Sequence, residues 1–175
     1  MVDFKQVIQL DPQSDLGYIW QGDAHKGNGN NAGAVWSYTQ AIEVNPESES
    51  AIQRRAMLFY SLNKLETSLQ DFSTLLALND SNSRAHFFKG KILHKLGSIH
   101  DATLHFEQVI KYDNNQSELT GNALFEIAKI RVKEKDFYEA SFNLQRAQGL
   151  KFEAKGMKVY KMFSDSVIDL MKSNH

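Results

Sequence analysis

Pro12, Pro46, Asp80 and Asn114 fall 34 residues apart, and the chain between them keeps a common register. Gly22, Ala56 and Gly90 repeat at that interval. So do Ala34, Ser68 and Ala102, then Tyr38, Phe72 and Phe106, then Ala41, Leu75 and Val109. A fixed period of this length means that copies of one supersecondary unit stack to bury a shared core.

Within each period the apolar residues recur at helical spacing, so each unit reads as two amphipathic helices joined by a short turn. The expected fold is therefore all-α, a solenoid of antiparallel helix pairs. Full units run over 15–46, 49–80 and 83–114. First helices are expected near 15–27, 49–62, 83–96 and 117–134, and second helices near 31–44, 65–78, 99–112 and 137–150. The first turn carries Gly27, Gly29 and Gly33 with Asn28, Asn30 and Asn31, all tolerant of positive φ. Asn63 and Lys64 mark the second turn. Gly97 is placed to end a helix, with Ser98 as cap of the next and Asp101 three residues on.

The fourth unit, 117–152, is divergent. Ala128, Ala140, Leu144 and Ala147 lie 38 residues beyond Gly90, Ala102, Phe106 and Val109, so four extra residues sit near Asn115 to Thr120 as a longer loop or an added helical turn. Residues 1–12 match the second helix of a unit whose first helix is missing. Residues 155–173 place Met157, Val159, Tyr160, Phe163, Val167, Ile168 and Met171 at roughly helical spacing, as expected of a helix capping the last repeat. On this reading residues 1–175 form one domain. Its start inside a repeat points to a piece of a longer protein, with Met1 supplied for expression and with Val7 and Ile8 open to self-association.

Composition narrows the function. The chain has 20 Lys and Arg, 21 Asp and Glu and a formal net charge of −1, which gives no whole-molecule attraction to nucleic acid or to anionic membranes. It has no cysteine, which excludes disulfides, thiolate metal sites and cysteine nucleophiles. No run approaches the ~20 apolar residues of a membrane span, and the first residues lack the plan of a signal peptide. A cytoplasmic or otherwise intracellular setting is the expectation. Asn79-Asp80-Ser81 and Asn115-Gln116-Ser117 match the glycosylation pattern but are read as chance.

Gly22, Ala56, Gly90 and Ala128 fall where the two helices of a unit should cross, opposite Ala34, Ser68, Ala102 and Ala140. Small side chains there let helices approach to about 8–9 Å, with the aromatic row Tyr38, Phe72 and Phe106 filling space between units. This pattern resembles the tetratricopeptide repeat, in SYTQAIEVNP at residues 37–46, FKQVIQLDP at residues 4–12, and the small and aromatic positions above. The resemblance covers about residues 1–152. It implies a right-handed superhelix with the first helix of each unit lining the concave side. Asp80, Asn114 and Phe152 replace the family's closing proline, and Gln21, Arg55 and Lys89 replace a usual leucine. Some members grip a free C-terminal carboxylate through lysine, asparagine and arginine. The matching positions here hold Ile19, Asp23, Arg54, Arg84 and Phe88, which suits a type without that clamp.

No catalytic constellation stands out, and no cofactor is expected. The six histidines show no metal-binding spacing; His94 and His105 could meet across a helix pair, yet lack a third ligand. KGNGNNAG at residues 26–33 lacks the GK[ST] ending of a phosphate cradle and has no strand before it, so it reads as a turn. Asp11 and Asp15 sit at helix ends, where capping explains them. The informative feature is charge: the expected first helices carry ten Lys/Arg and six Asp/Glu, the second helices two and six. The groove should then be basic. By analogy with the family, Ile19, Trp20, Asp23, Arg54, Met57, Tyr60, Arg84, Phe87, Phe88, Lys91 and Lys95 should line it. Aromatics with arginine dominate interface energetics, so an acidic protein or peptide segment with apolar anchors is the expected partner. Packing of the same rings between helices is the plain alternative. The rival functions are a structural or oligomerisation spacer within a larger assembly and, less consistent with the charge, an RNA-binding array. No enzyme activity is expected.

Overall fold

Four turns, built the same way, set the architecture. Gly29, Asn63, Gly97 and Lys135 each adopt a positive φ, between 57° and 87°. Beyond each, the next residue's N–H reaches back to close the preceding helix: Asn30 to His25 O, Lys64 to Phe59 O, Ser98 to Leu93 O and Asp136 to Arg131 O, all at 2.9 Å. This six-residue closure satisfies a carbonyl that the helix end leaves over and reverses the chain at once.

The computed structural model describes residues 11–113, 118–150 and 154–173, with side chains for all of these but 154–162 and 171. Among them the helices are α1 (Asp15–Gly27), α2 (Asn31–Val44), α3 (Glu49–Ser61), α4 (Leu65–Leu78), α5 (Ser83–Lys95), α6 (Ile99–Tyr112), α7 (Glu118–Lys133), α8 (Phe137–Gln148) and α9 (Ala154–Ser173). The secondary structure of the described residues is all helical, and α1–α8 form four antiparallel hairpins. Val7 and Ile8, with the self-association expected of them, lie outside the described residues, as do Phe152 and the side chains of Met157, Val159, Tyr160 and Met171.

Helix starts follow local chemistry. Asn30, Ser48, Asn82 and Asp136 each accept a hydrogen bond from the backbone N–H three residues on, at 2.9–3.3 Å. Ser98 occupies the same position before α6 but makes no capping bond, contrary to the sequence expectation. There Gly97 does the work of the turn. α7 has 16 residues where α1, α3 and α5 have 13, so the extra residues of the fourth unit partly lengthen its first helix. Thr120, buried in that extension, donates to Asp113 Oδ2 at 2.6 Å.

The chain divides into two compact units, Met1–Asp80 and Ser81–His175. In the first, Ile19, Ala41 and Ala51 pack with Tyr18 and Ile42, while Ala34, Tyr38 and Leu58 form a second cluster. In the second, Phe106 and Val109 pack with Ala123, Ile127 and Ile130, and Leu124, Ala128 and Leu144 are covered by Val167 and Phe163 of α9. Phe163 meets Phe125 edge-on at 5.5 Å between ring centroids. Ile168, expected on the packed face, is 42% exposed.

The small residues serve a closer contact than helix crossing alone. A Cβ on Gly22 would lie 2.4 Å from Tyr38 Cε1, and one on Gly90 2.8 Å from Phe106 Cε1. Tyr38 and Phe106 thus rest on the backbone of their own hairpins, and within its unit each also packs with the next hairpin, Tyr38 with Leu58 and Phe106 with Ile127.

Candidate functional site

In the first unit the first-helix surface is charged but internally balanced. Arg54 of α3 donates from Nε to both carboxylate oxygens of Asp23 on α1 at 3.0 Å, and from a terminal nitrogen to Ser50 Oγ at 2.7 Å. The Tyr38 hydroxyl donates to Asp23 Oδ1 at 2.7 Å. Burial first, and this bond second, push the phenol's pKa well above its ordinary value. Trp20 is 44% exposed beside this network, and Met57 is half-buried. Ile19, expected in the groove, is instead core at 2% exposure.

Positions that depart from the family pattern form polar keys inside the hairpins. Gln21 accepts from Ser37 at 3.2 Å. Arg55 grips Asp71 with two bonds of 2.8 and 2.9 Å and reaches Thr39 at 3.1 Å. The Arg55–Asp71 side chains are only 20% and 9% exposed, so each charge depends on the other. Each pair joins residue i of a first helix to i+16 of the second. At the same spacing in the third hairpin stand Lys89 and His105, and there burial, then the Lys89 charge, then His86 hold the histidine's pKa down to about 4. Lys89 is itself pushed down by burial, against the pull of Asp101.

His105 does not meet His94. Its Nδ1 lies 2.8 Å from Nδ1 of His86, which stacks on Tyr112 at 5.6 Å. This pairing corrects the sequence expectation. It was readable only as two polar residues 19 apart on facing helices. No group of three or more metal-ligating side chains occurs among the described residues.

In the second unit the balance differs. α5 and α7 together carry Arg84, Lys89, Lys91, Lys95, Lys129, Arg131 and Lys133 against Glu118 and Glu126. α1 and α3 carry Lys26, Arg54 and Arg55 against Asp15, Asp23 and Glu49. The basic excess of the first helices therefore belongs to the second unit. Arg84 and Lys95 are exposed, Lys91 lies over the Phe87 ring at 5.6 Å, and Phe88 is half-buried. Phe87, expected as a groove ring, is 8% exposed and packs on Phe106 at 5.9 Å. That is a correction: adjacent rings on a helix point about 100° apart, and the core takes Phe87.

At the turn end of the same unit, His94, Ile99, Ile130, Lys133 and Glu134 line a cleft of about 160 Å³. Glu134 is bonded to Arg131 at 2.8 Å. Burial, then the charge of Lys133, lower the His94 pKa, with Glu126 opposing and Lys129 adding.

Repeated hairpins with a shared turn geometry and an inter-hairpin core define a helical-repeat protein without a built catalytic centre among the described residues. Residues 83–116 match the family model described as tetratricopeptide repeat. With the period and the fold, that match makes residues 83–116 a tetratricopeptide repeat and the surrounding hairpins similar to that family. It is 24% identical over 144 residues to human RNA polymerase II-associated protein 3, covering 81% of this chain and 22% of that protein. The chain spans 17–22% of the length of the first curated relatives it matches. Among solved structures, MamA superposes with a TM-score of 0.73 at 16% identity, covering 83% of each chain. The first tetratricopeptide domain of Spaghetti (RPAP3), bound to the HSP90 peptide SRMEEVD, superposes at 0.57 and 23% identity, covering 63% of this chain and 90% of that one. No helix among the described residues is long and apolar enough to cross a membrane.

Proposed function

We propose that this chain is a protein-interaction scaffold that holds an acidic segment with apolar anchors on the first-helix face of its second unit. The observation that carries this is the seven-to-two excess of cations on α5 and α7, with Phe88 half-buried among them. Arg84, Lys91 and Lys95 supply the charge and Phe88 the apolar contact. Such a patch raises on-rate and selects partner charge more than it adds raw affinity. The acidic peptide seen on the Spaghetti domain supports the ligand class.

Binding uses side-chain carboxylates of the partner rather than a free chain end. Ile19 is buried and Asp23 is paired with Arg54, so three of the positions that a terminal-carboxylate clamp would use are spent on the fold. The first unit then offers a separate surface, Trp20 and Met57 beside the neutral Asp23–Arg54 pair, suited to an apolar contact.

Fluorescence anisotropy with a labelled ten-residue peptide of alternating Glu and Leu tests this. Wild type should bind, Lys91→Glu with Lys95→Glu should weaken binding at least about tenfold, and amidating the peptide's C-terminus should change nothing. Wild type that ignores the peptide, or reversal without effect, would favour the spacer role.

A further inference from the structure

The cleft at the turn end of the second unit sits where three helices converge: the last turn of α5 (His94), the first residue of α6 (Ile99) and the last turn of α7 (Ile130, Lys133), with Glu134 just beyond. Its floor is apolar. Ile130 is 1% exposed, and Ile99 packs against the same core cluster. Its rim is polar and its charge is one-sided. Glu134 is neutralised by Arg131, whereas Lys133 makes no ion pair among the described residues. His94 is half-buried, and its ring nitrogens have no hydrogen-bond partner among the described residues.

Size decides what such a cleft can take. Pockets for cofactors and other small molecules run to ~300–1,000 Å³. At about 160 Å³ this one is too small. A cavity of about 150 Å³ holds a benzene ring, so one leucine, methionine or phenylalanine side chain fills it. A small apolar recess with a polar rim is also where interface energy concentrates once a partner covers it.

We infer that this cleft is the anchor subsite for the acidic segment: it takes one aliphatic or aromatic side chain from the partner, while an adjacent carboxylate meets Lys133 and the His94 ring. The inference rests on the proposed function and adds the position and chemistry of its apolar anchor. The anchor fixes the register of the segment, because an apolar side chain and a carboxylate must arrive together. Lysine-rich segments are excluded by Lys133 and by the surrounding cations of α5 and α7.

The test uses the full chain with isotopically labelled isoleucine methyls and three blocked pentapeptides: Glu-Glu-Leu-Glu-Glu, the same peptide with alanine for leucine, and one with glutamine for every glutamate. The leucine peptide should shift the Ile99 and Ile130 methyl signals. Its affinity should fall at least fivefold with alanine in place of leucine and by a similar factor in Lys133→Glu, an exposed position whose reversal leaves the core intact. The glutamine peptide should bind more weakly than either. Shifts confined to residues around Lys91 and Lys95, with Ile99 and Ile130 silent, would overturn the anchor subsite and leave the scaffold reading standing. A leucine peptide that shifts nothing on the second unit would overturn both.

Discussion

At Gly90 the helix backbone itself is the packing surface for Phe106, and a single methyl would intrude to 2.8 Å of the ring. Alanine is the better helix former by about 1 kcal/mol, yet overpacking a tight core costs ~1–3 kcal/mol. Gly90→Ala should therefore destabilise the second unit by up to about 2 kcal/mol net. Adding Phe106→Leu should recover part of that loss, since the fourth hairpin pairs Ala128 with Leu144 at the equivalent positions. Urea unfolding of the two single variants and the double measures the coupling. His105 gives a pH prediction. Its folded pKa of about 4 lies below the ordinary 6.5, so the unfolded chain takes the proton first as pH falls. The stabilisation is complete above about pH 6.5 and is lost between there and about pH 4. Solvent screening at this half-buried site reduces the effect to the order of 1–2 kcal/mol. Denaturant titrations at pH 7.5 and 4.5 should show the loss, and His105→Gln should flatten it.

At the scale of the element, the four turns share one geometry but not one residue. Gly29 and Gly97 adopt positive φ at little cost, Asn63 tolerates it, and Lys135 at φ 64° does not gain from its side chain. Lys135→Gly should therefore stabilise the fourth hairpin by about 0.5–1 kcal/mol, read as a rise in thermal midpoint. Lys135 is exposed, so no packing is lost with its side chain. α9 illustrates a different dependence. Val167 and Phe163 cover Leu124, Leu144 and Phe125, so the last hairpin relies on a helix outside the repeat pattern for its core.

At the scale of the whole molecule, a net charge of −1 conceals an uneven distribution. The second helices α2, α4, α6 and α8 carry six acidic residues and two basic ones, and the cations gather on α5 and α7. Binding of an acidic peptide should therefore weaken as salt rises, because the Debye length shrinks from ~10 Å at 0.1 M to ~3 Å at 1 M. Anisotropy titrations across that range should show a loss of roughly tenfold or more, concentrated in association rate. An apolar peptide of equal length should show little salt dependence.

Sequence alone settled what depends on near neighbours: the 34-residue period, the helices, the small residues beside the aromatic row, and the turns that Gly29, Asn63 and Gly97 announce. It left out whatever depends on side chains 15 to 31 positions apart. Period could not say whether Phe87 or Phe88 turns inward, because two adjacent rings are equally apolar and only packing shows that Phe87 is the one buried. Nor could it show that Asp23 engages Arg54, that Arg55 is held by Asp71, or that His105 pairs with His86 rather than His94. Those outcomes rest on distances of about 3 Å between groups on different helices. Helix periodicity fixes direction around an axis, whereas only packed hairpins fix which polar groups touch and which charges remain for a partner.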